Sequence, residues 1–181
     1  KIKGWNQNPE DMLSAMTKIA FHETGAQTGL SPEAVNMMQK TNEGYGPGRG
    51  LFQYEQRYRN PESQEYEQAG GMTARNRLSK YFEGQDMDIP EWLSQEGMND
   101  PSVGFDASKL SPSQQYMLFL GDKAGDKTAH MRDIGQEGGV RDFWAEEHWA
   151  GPKEELQKKT QSFGESMGVY KDTLLDQILG R

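Results

Sequence analysis

"NPEDMLSAMTKIAFHETG", Asn8 to Gly25, carries both ends of a helix in its own letters. Asn8 is a cap residue, Pro9 suits the first helical position, and Glu10 and Asp11 face the positive end of the helix dipole. Gly25 supplies the stop. Between these limits Met12, Met16, Ile19 and Ala20 recur at helical spacing and mark one apolar face. At roughly 100° per residue, Glu23 falls about 20° from Met12 on the helical wheel, between Met16 and Ile19. A carboxylate therefore points with the apolar residues at the helix end. Desolvation and the negative end of the dipole both disfavour its ionised form there. A carboxylic acid kept protonated near neutral pH is what general-acid cleavage of a glycosidic bond requires. The competing reading turns the same side chain outward into water on its flexible stem.

Outward from this helix, Ser31-Pro32-Glu33 opens a second, short helix toward Met38. "TNEGYGPGRG", Thr41 to Gly50, holds four glycines and a proline and reads as a shaped loop. Helices are expected near Thr73 to Phe82 and Pro90 to Gln95. "LSPSQQYMLFLGDKAGDKTAHM" begins with a capping box, Ser111 and Gln114, and has Pro112 at the first helical position. Met117, Leu120, Ala124 and Met131 are expected along its inner side. "GGVRDFWAEEHWAGP" reads as a short aromatic helix stopped at Gly151-Pro152. From Lys153 the charges alternate until "VYKDTLLDQILG" forms another amphipathic turn or two. With no strand-like alternation of useful length, no repeat and no linker, the expectation is one mainly α domain over 1–181, with little or no sheet and a helical tail over 153–181.

Composition narrows the function. Leu, Ile, Val and Phe account for only 28 of 181 residues, and the net charge is −8, a balance that leans toward disorder. Against that stand 4 Trp, 7 Tyr and 10 Met, the large side chains of a folded domain with a thin, Met-filled core. The acidic balance, pI about 5.0, argues against a duplex nucleic-acid partner, which needs clustered Lys and Arg. Cysteine is absent, which removes disulfides and thiolate chemistry. The opening "KIKGWNQNPEDM" has no apolar h-region, and the longest apolar run, Tyr116 to Leu120, is far too short for a bilayer. The segment is expected to be water-soluble and, beginning without Met, a piece of a longer modular chain.

Other chemistries fit the motifs poorly. No Gly-Lys-Ser/Thr follows the glycine-rich stretch, so it is not a phosphate loop. His22-Glu23 would open a zinc helix only with a second His at position 26, which is Ala26, while His130 and His148 are remote. Neither a metal nor a cofactor is expected. No G-x-S-x-G elbow marks a serine nucleophile.

The Glu23-Thr24 helix end, the glycine-rich stretch and "GRGLFQYE" together resemble the lytic transglycosylase and goose-type lysozyme superfamily. The resemblance spans about 9–152. It implies a lysozyme-like helical fold and cleavage of peptidoglycan between N-acetylmuramic acid and N-acetylglucosamine. Glu23 matches the family's catalytic Glu, with Thr24 in the usual Ser place. Gly50, Leu51, Phe52 and Gln53 match its Gly-Leu-x-Gln signature, which puts Gln53 in the saccharide cleft beside Tyr54. His148-Trp149-Ala150-Gly151 stands where the family carries Tyr-Asn-Ala-Gly, so His148 and Trp149 replace the Tyr-Asn pair. Phe52, Tyr54, Trp144 and Trp149 could stack on sugar rings, with the core as the alternative for both tryptophans. Arg49 could fork onto a peptide carboxylate or remain solvated.

The same resemblance leaves the reaction type open. Glu55 occupies the place of an auxiliary Asp in goose-type enzymes, and Glu43 is a further candidate for the second carboxylate that inverting hydrolysis needs. A transglycosylase needs only Glu23. "LSPSQQYMLFLGD" and "FWAEEHWAGP" look like the forms this fold takes in phage virion proteins. The implied setting is then genome delivery through the host periplasm or cell wall, with peptidoglycan strands as substrate and other virion or tail proteins as partners. A virion module that keeps the fold without activity is the rival class.

Overall fold

The computed structural model describes residues 9–25, 35–41, 44–56, 58–59, 66–67, 70–94, 99–100, 104–125, 139–145 and 153–179. Among them the α-helices are α1 (Pro9–Glu23), α2 (Gly70–Gly84), α3 (Glu91–Ser94), α4 (Pro112–Gly125), α5 (Gly139–Phe143) and α6 (Leu156–Leu179). Strands β1 (Met38–Thr41), β2 (Gly44–Arg49) and β3 (Tyr54–Glu55) form a small antiparallel sheet, and two minimal strand pairs, β4–β5 and β6–β7, join Tyr58–Arg59 to Tyr66–Glu67 and Asn99–Asp100 to Gly104–Phe105. The protein is mainly α. The chain divides into two compact units, one built from both chain ends, Lys1–Gly29 with Lys127–Arg181, and one from the continuous stretch Leu30–Asp126.

In the first unit α1 begins at Pro9 and ends at Glu23, as its sequence signals require. Met12, Ala15, Met16, Ile19 and Ala20 are buried, so the helix buries the stripe read from its periodicity. The stop has a clear mechanism. Gly25 adopts φ +69°, a left-handed conformation that glycine enters without a Cβ penalty, and the Thr24 hydroxyl donates to the Ala20 carbonyl at 2.8 Å. Against α1 pack α5 and α6, which bring in Phe143 and Phe163, both buried. The tail is helical, as expected, and is one continuous 24-residue helix rather than only a final amphipathic turn or two. Gly164 and Gly168 each cost about 1 kcal/mol in its interior. Buried Phe163 offsets that cost, and Gln161 Nε2 adds an i,i+4 bond to Glu165 at 3.0 Å.

The second unit pairs α2 with α4. Ala74, Leu78 and Phe82 from α2 meet Leu118 and Phe119 from α4, all buried. The capping box forms as the sequence predicts: Ser111 N–H donates to Gln114 Oε1 at 2.8 Å, and Gln114 N–H reaches back to Ser111 Oγ at 3.4 Å. Its inner face, however, is not the expected one. Met117 is 42% exposed and Leu120 only half-buried, while Gln115, Leu118, Phe119, Asp122 and Lys123 point inward. Polar residues occupy the core side because each finds a partner there. The side chain of Ala124, with Met131, lies outside the described residues.

The glycine-rich stretch is β-structure, which corrects the loop reading. Gly44, Gly46 and Gly48 recur at every second residue of β2, the period of a strand. The close approach is at Gly48, where a Cβ would lie 3.2 Å from Gln39 Cβ and 3.3 Å from Gln53 Cβ. Lys40 pairs with Tyr45 but Met38 with Arg49, so β2 bulges across Pro47, which has no N–H to offer the ladder. Met38 therefore begins a strand and does not end a helix, and Ser31 to Glu33 lie outside the described residues. Thr73 to Phe82 falls inside the longer α2, and within Pro90 to Gln95 the described residues hold the single turn α3, Gln95 lying outside them.

Two helical glycines should respond oppositely to the same substitution. Replacing either by Ala removes about 1 kcal/mol of helix cost. At Gly164 the new methyl meets open space, so Gly164→Ala should stabilise by roughly 0.5–1 kcal/mol. At Gly121 it lies 2.9 Å from Leu78 Cβ, where α2 and α4 must move apart, and overpacking of about 1–3 kcal/mol outweighs the gain. Urea midpoints of the two variants should move in opposite directions.

Candidate functional site

Glu23 is the last residue of α1 and is half-buried. The backbone narrows its choices: with Thr24 N–H bonded to Ala20 O at 3.0 Å and Gly25 N–H to His22 O at 3.1 Å, the helix closes directly over it. Its carboxyl is held from across the unit. The indole N–H of Trp144, a ring only 2% exposed, donates to Glu23 Oε1. Trp144 follows α5 where the turn widens to π geometry over 144–145, a departure from α that re-aims the side chain beyond the helix end. Indole is a donor only, so Oε1 accepts. Trp144 is thus a core residue, with the polar edge of its ring turned to the candidate acid.

His22 stands at the centre of an aromatic cluster. Its ring meets Trp144 edge-on, with centroids 4.5 Å apart at 83°, and tilts against Phe163 at 4.8 Å. Phe163 and Trp144 close the triangle at 5.2 Å. Nδ1 lies 2.8 Å from Ser166 Oγ, which is also 3.1 Å from the Ser162 carbonyl. The Ser166 hydroxyl has one hydrogen to give, to the Ser162 carbonyl with the imidazole proton on Nδ1 or to Nδ1 with that proton on Nε2. Burial, aided by the Lys159 ammonium, pulls the imidazole from 6.5 down to about 4, so the ring is neutral at pH 7.

In the second unit Gly50 to Gln53 form a tight turn between β2 and β3. Gly50 has φ +73° and Gln53 φ +47°. Gly50 N–H donates to Met37 O at 2.8 Å, and the Gln53 backbone and Nε2 both donate to Gly50 O, at 3.2 and 2.7 Å. Buried Gln115 fastens this turn: Oε1 accepts from Leu51 N–H at 2.6 Å, while Nε2 donates to Val35 O at 2.9 Å and Leu110 O at 3.0 Å. The glycine is required twice over, because a Cβ at position 50 would also run into the Gln115 carboxamide.

Several side chains expected on the saccharide serve the interior instead. Leu51 is buried, and Phe52 stacks on Phe119 at 4.3 Å, 1% exposed, with no ring face left for a sugar. Tyr54 is buried too, its hydroxyl donating to Asp122 Oδ2 at 3.0 Å. Burial first, then the Asp122 charge and hydrogen bond, push this phenol well above its usual range, against the opposing pull of Arg77. Asp122 also bonds Arg77 at 2.8 Å and Lys123 at 3.2 Å. Arg49 Nη1 donates to its neighbour's carbonyl, Gly48 O, at 2.8 Å. Gln53 remains half-exposed and Glu55 exposed. Glu43, His148 and Trp149 lie outside the described residues.

Glu23 and the Gly50–Gln53 turn thus belong to different units, each with its own anchor. Sequence reading passed over Gln115, Asp122 and the His22–Ser166 pair. Gln115 had a signal available, since a Gln on the second turn of a capped helix can reach back across its own start, whereas a bond spanning 144 residues leaves no local trace. Among the described residues no group of His, Asp and Glu assembles into a metal site, and no helix is long and apolar enough to cross a membrane. No protein-family model matches the sequence, and comparison with curated proteins and with solved structures found no match.

Two outcomes follow for stability. Between about pH 4 and 6.5 the unfolded chain holds a proton on His22 that the folded protein does not. The contribution of this ring is therefore intact above pH 6.5 and lost as pH falls toward 4, by on the order of 1–2 kcal/mol once solvent screening of a half-buried ring is allowed for. Denaturant titrations should show that loss in the parent, and a well-folded His22→Gln variant should lack it. Gly50→Val, which combines a left-handed backbone with a collision at Gln115, should lose about 2–5 kcal/mol in the same assay.

Proposed function

We propose that this protein cleaves the β-1,4 bond between N-acetylmuramic acid and N-acetylglucosamine in peptidoglycan, with Glu23 as general acid and then base. The observation that carries the reading is the half-buried Glu23 carboxyl at a helix end, fixed through Oε1 by the Trp144 indole. One oxygen is occupied by a donor that cannot release or accept a proton under ordinary conditions. That donor holds the carboxyl without competing for its proton, so the carboxyl does not have to search for its orientation during reaction.

In the first step Glu23 would protonate the glycosidic oxygen as the bond to the muramoyl anomeric carbon breaks. In the second the same carboxyl would take the proton from the muramoyl 6-hydroxyl as it closes on that carbon, giving a 1,6-anhydro ring. This transglycosylase route needs one carboxylate and gains from the high effective concentration of an internal hydroxyl. Hydrolysis would need a second carboxylate to activate water. The described candidate for it, Glu55, is an exposed strand residue facing solvent. On the resemblance to phage virion domains, the wall-opening step would serve genome delivery, alongside other virion or tail proteins in the host periplasm or cell wall.

Turbidity loss of purified cell walls tests the proposal. The parent should clear them, and Glu23→Gln should lower the rate at least about 100-fold, the scale of a lost general acid. Equal, negligible rates for both would leave a virion module without activity. Mass spectrometry of the soluble products separates the routes: anhydromuropeptides, lighter by one water, are expected, whereas reducing-end muropeptides with an inactive Glu55→Gln variant would establish hydrolysis.

A further inference from the structure

The helix α6 lies outside the 9–152 segment that carries the resemblance, yet it reaches the candidate acid by two contacts. Ser166 holds His22 by the 2.8 Å bond between Oγ and Nδ1, and Oγ also lies 3.1 Å from the Ser162 carbonyl. Phe163, one turn earlier on α6, lies against both the His22 and Trp144 rings. His22 in turn stands edge-on to Trp144, and Trp144 donates to Glu23. Each link restricts a rotation: the hydrogen bond fixes His22 about its side-chain torsions, the edge-to-face contact fixes the indole plane, and the indole plane sets where its N–H points. Among the described residues the His22 ring has no other hydrogen-bond partner than Ser166, so the imidazole orientation depends on that hydroxyl.

We propose that Ser166 is a positioning residue for the Glu23 carboxyl, acting through His22 and Trp144. The inference rests on the reading of Glu23 as acid and base, but its geometric content does not. Loss of the hydroxyl leaves His22 Nδ1 without its hydrogen-bond partner and frees the ring to rotate. The indole then loses one wall of its slot, and its N–H no longer meets Oε1 in a single direction. Thr at 166 keeps a hydroxyl able to bond the carbonyl four residues back, as Thr17, Thr24 and Thr160 all do in this protein.

The test uses the full chain and two variants, Ser166→Ala and Ser166→Thr. The indole Nε1–H resonance of Trp144, assigned by comparison with Trp144→Phe, reports its hydrogen bond to Glu23 directly. In Ser166→Ala this resonance should move toward that of a water-exposed indole, with kcat down about 10-fold and KM within about twofold of the parent. Ser166→Thr should restore both the resonance and kcat. An unmoved resonance in Ser166→Ala overturns the proposal, even where the variant is less stable, because that is the pattern of a residue that only holds α6 in place. If the parent itself does not cleave cell walls, the reading of Glu23 fails on that observation alone, and the resonance still decides whether Ser166 positions the carboxyl.

Discussion

The buried carboxamide of Gln115 accepts from Leu51 N–H and donates to the carbonyls of Val35 and Leu110, and three separate stretches of the second unit converge on it. A chain so poor in aliphatic residues cannot define its interior by apolar packing alone. It uses polar groups that are costly to bury unless every donor and acceptor is matched, and matching them selects one arrangement. Asp122 does the same work between Tyr54, Arg77 and Lys123. Thr24 does it at the end of α1. The penalty for any other arrangement is an orphaned polar group, which makes such a core specific even where it is thin.

The two environments described for carboxyl and imidazole groups in the first unit complement each other. His22 is neutral at pH 7 because burial and Lys159 disfavour its charge, so it can sit beside Trp144 without placing a cation next to the ring that serves Glu23. A charged imidazolium in that slot would compete for the Glu23 carboxylate. The neutral ring instead shapes the slot by its edge, and the indole N–H meets the Glu23 carboxyl.

Sequence made α1 legible because its cap residues, stripe and stop are all local, and the capping box of α4 was readable for the same reason. The inner face of α4 was not: ranking Met117 and Leu120 above Gln115 and Asp122 follows hydropathy, whereas partners on α2 and the Gly50 turn decide which residues can go inside. The β2 strand was hidden by its own composition. Glycine breaks most strands, and only the two-residue spacing of Gly44, Gly46 and Gly48 carries the strand period. At the candidate site, Glu23 could be singled out from its helix, but the Trp144 bond to it spans 121 residues and depends on a π turn with no sequence mark. Phe52 and Tyr54 were drawn toward solvent by a motif, while their aromatic area found partners inside.

The first unit is made from the two ends of this chain, and that has a consequence for how the protein comes into being. Contacts between α1 and α6 join residues more than a hundred positions apart, so their formation carries a large loop-closure cost and is slow compared with local helix formation. As the chain leaves the ribosome, at about 5–20 residues per second, the continuous second unit is complete while α1 still waits for its partners, roughly several seconds ahead of α6. Its Met-lined face is exposed for that interval, a surface on which holdase chaperones act. The slot around Glu23 exists only after α6 has been made. Partly synthesised chains thus carry the carboxylate but not its setting.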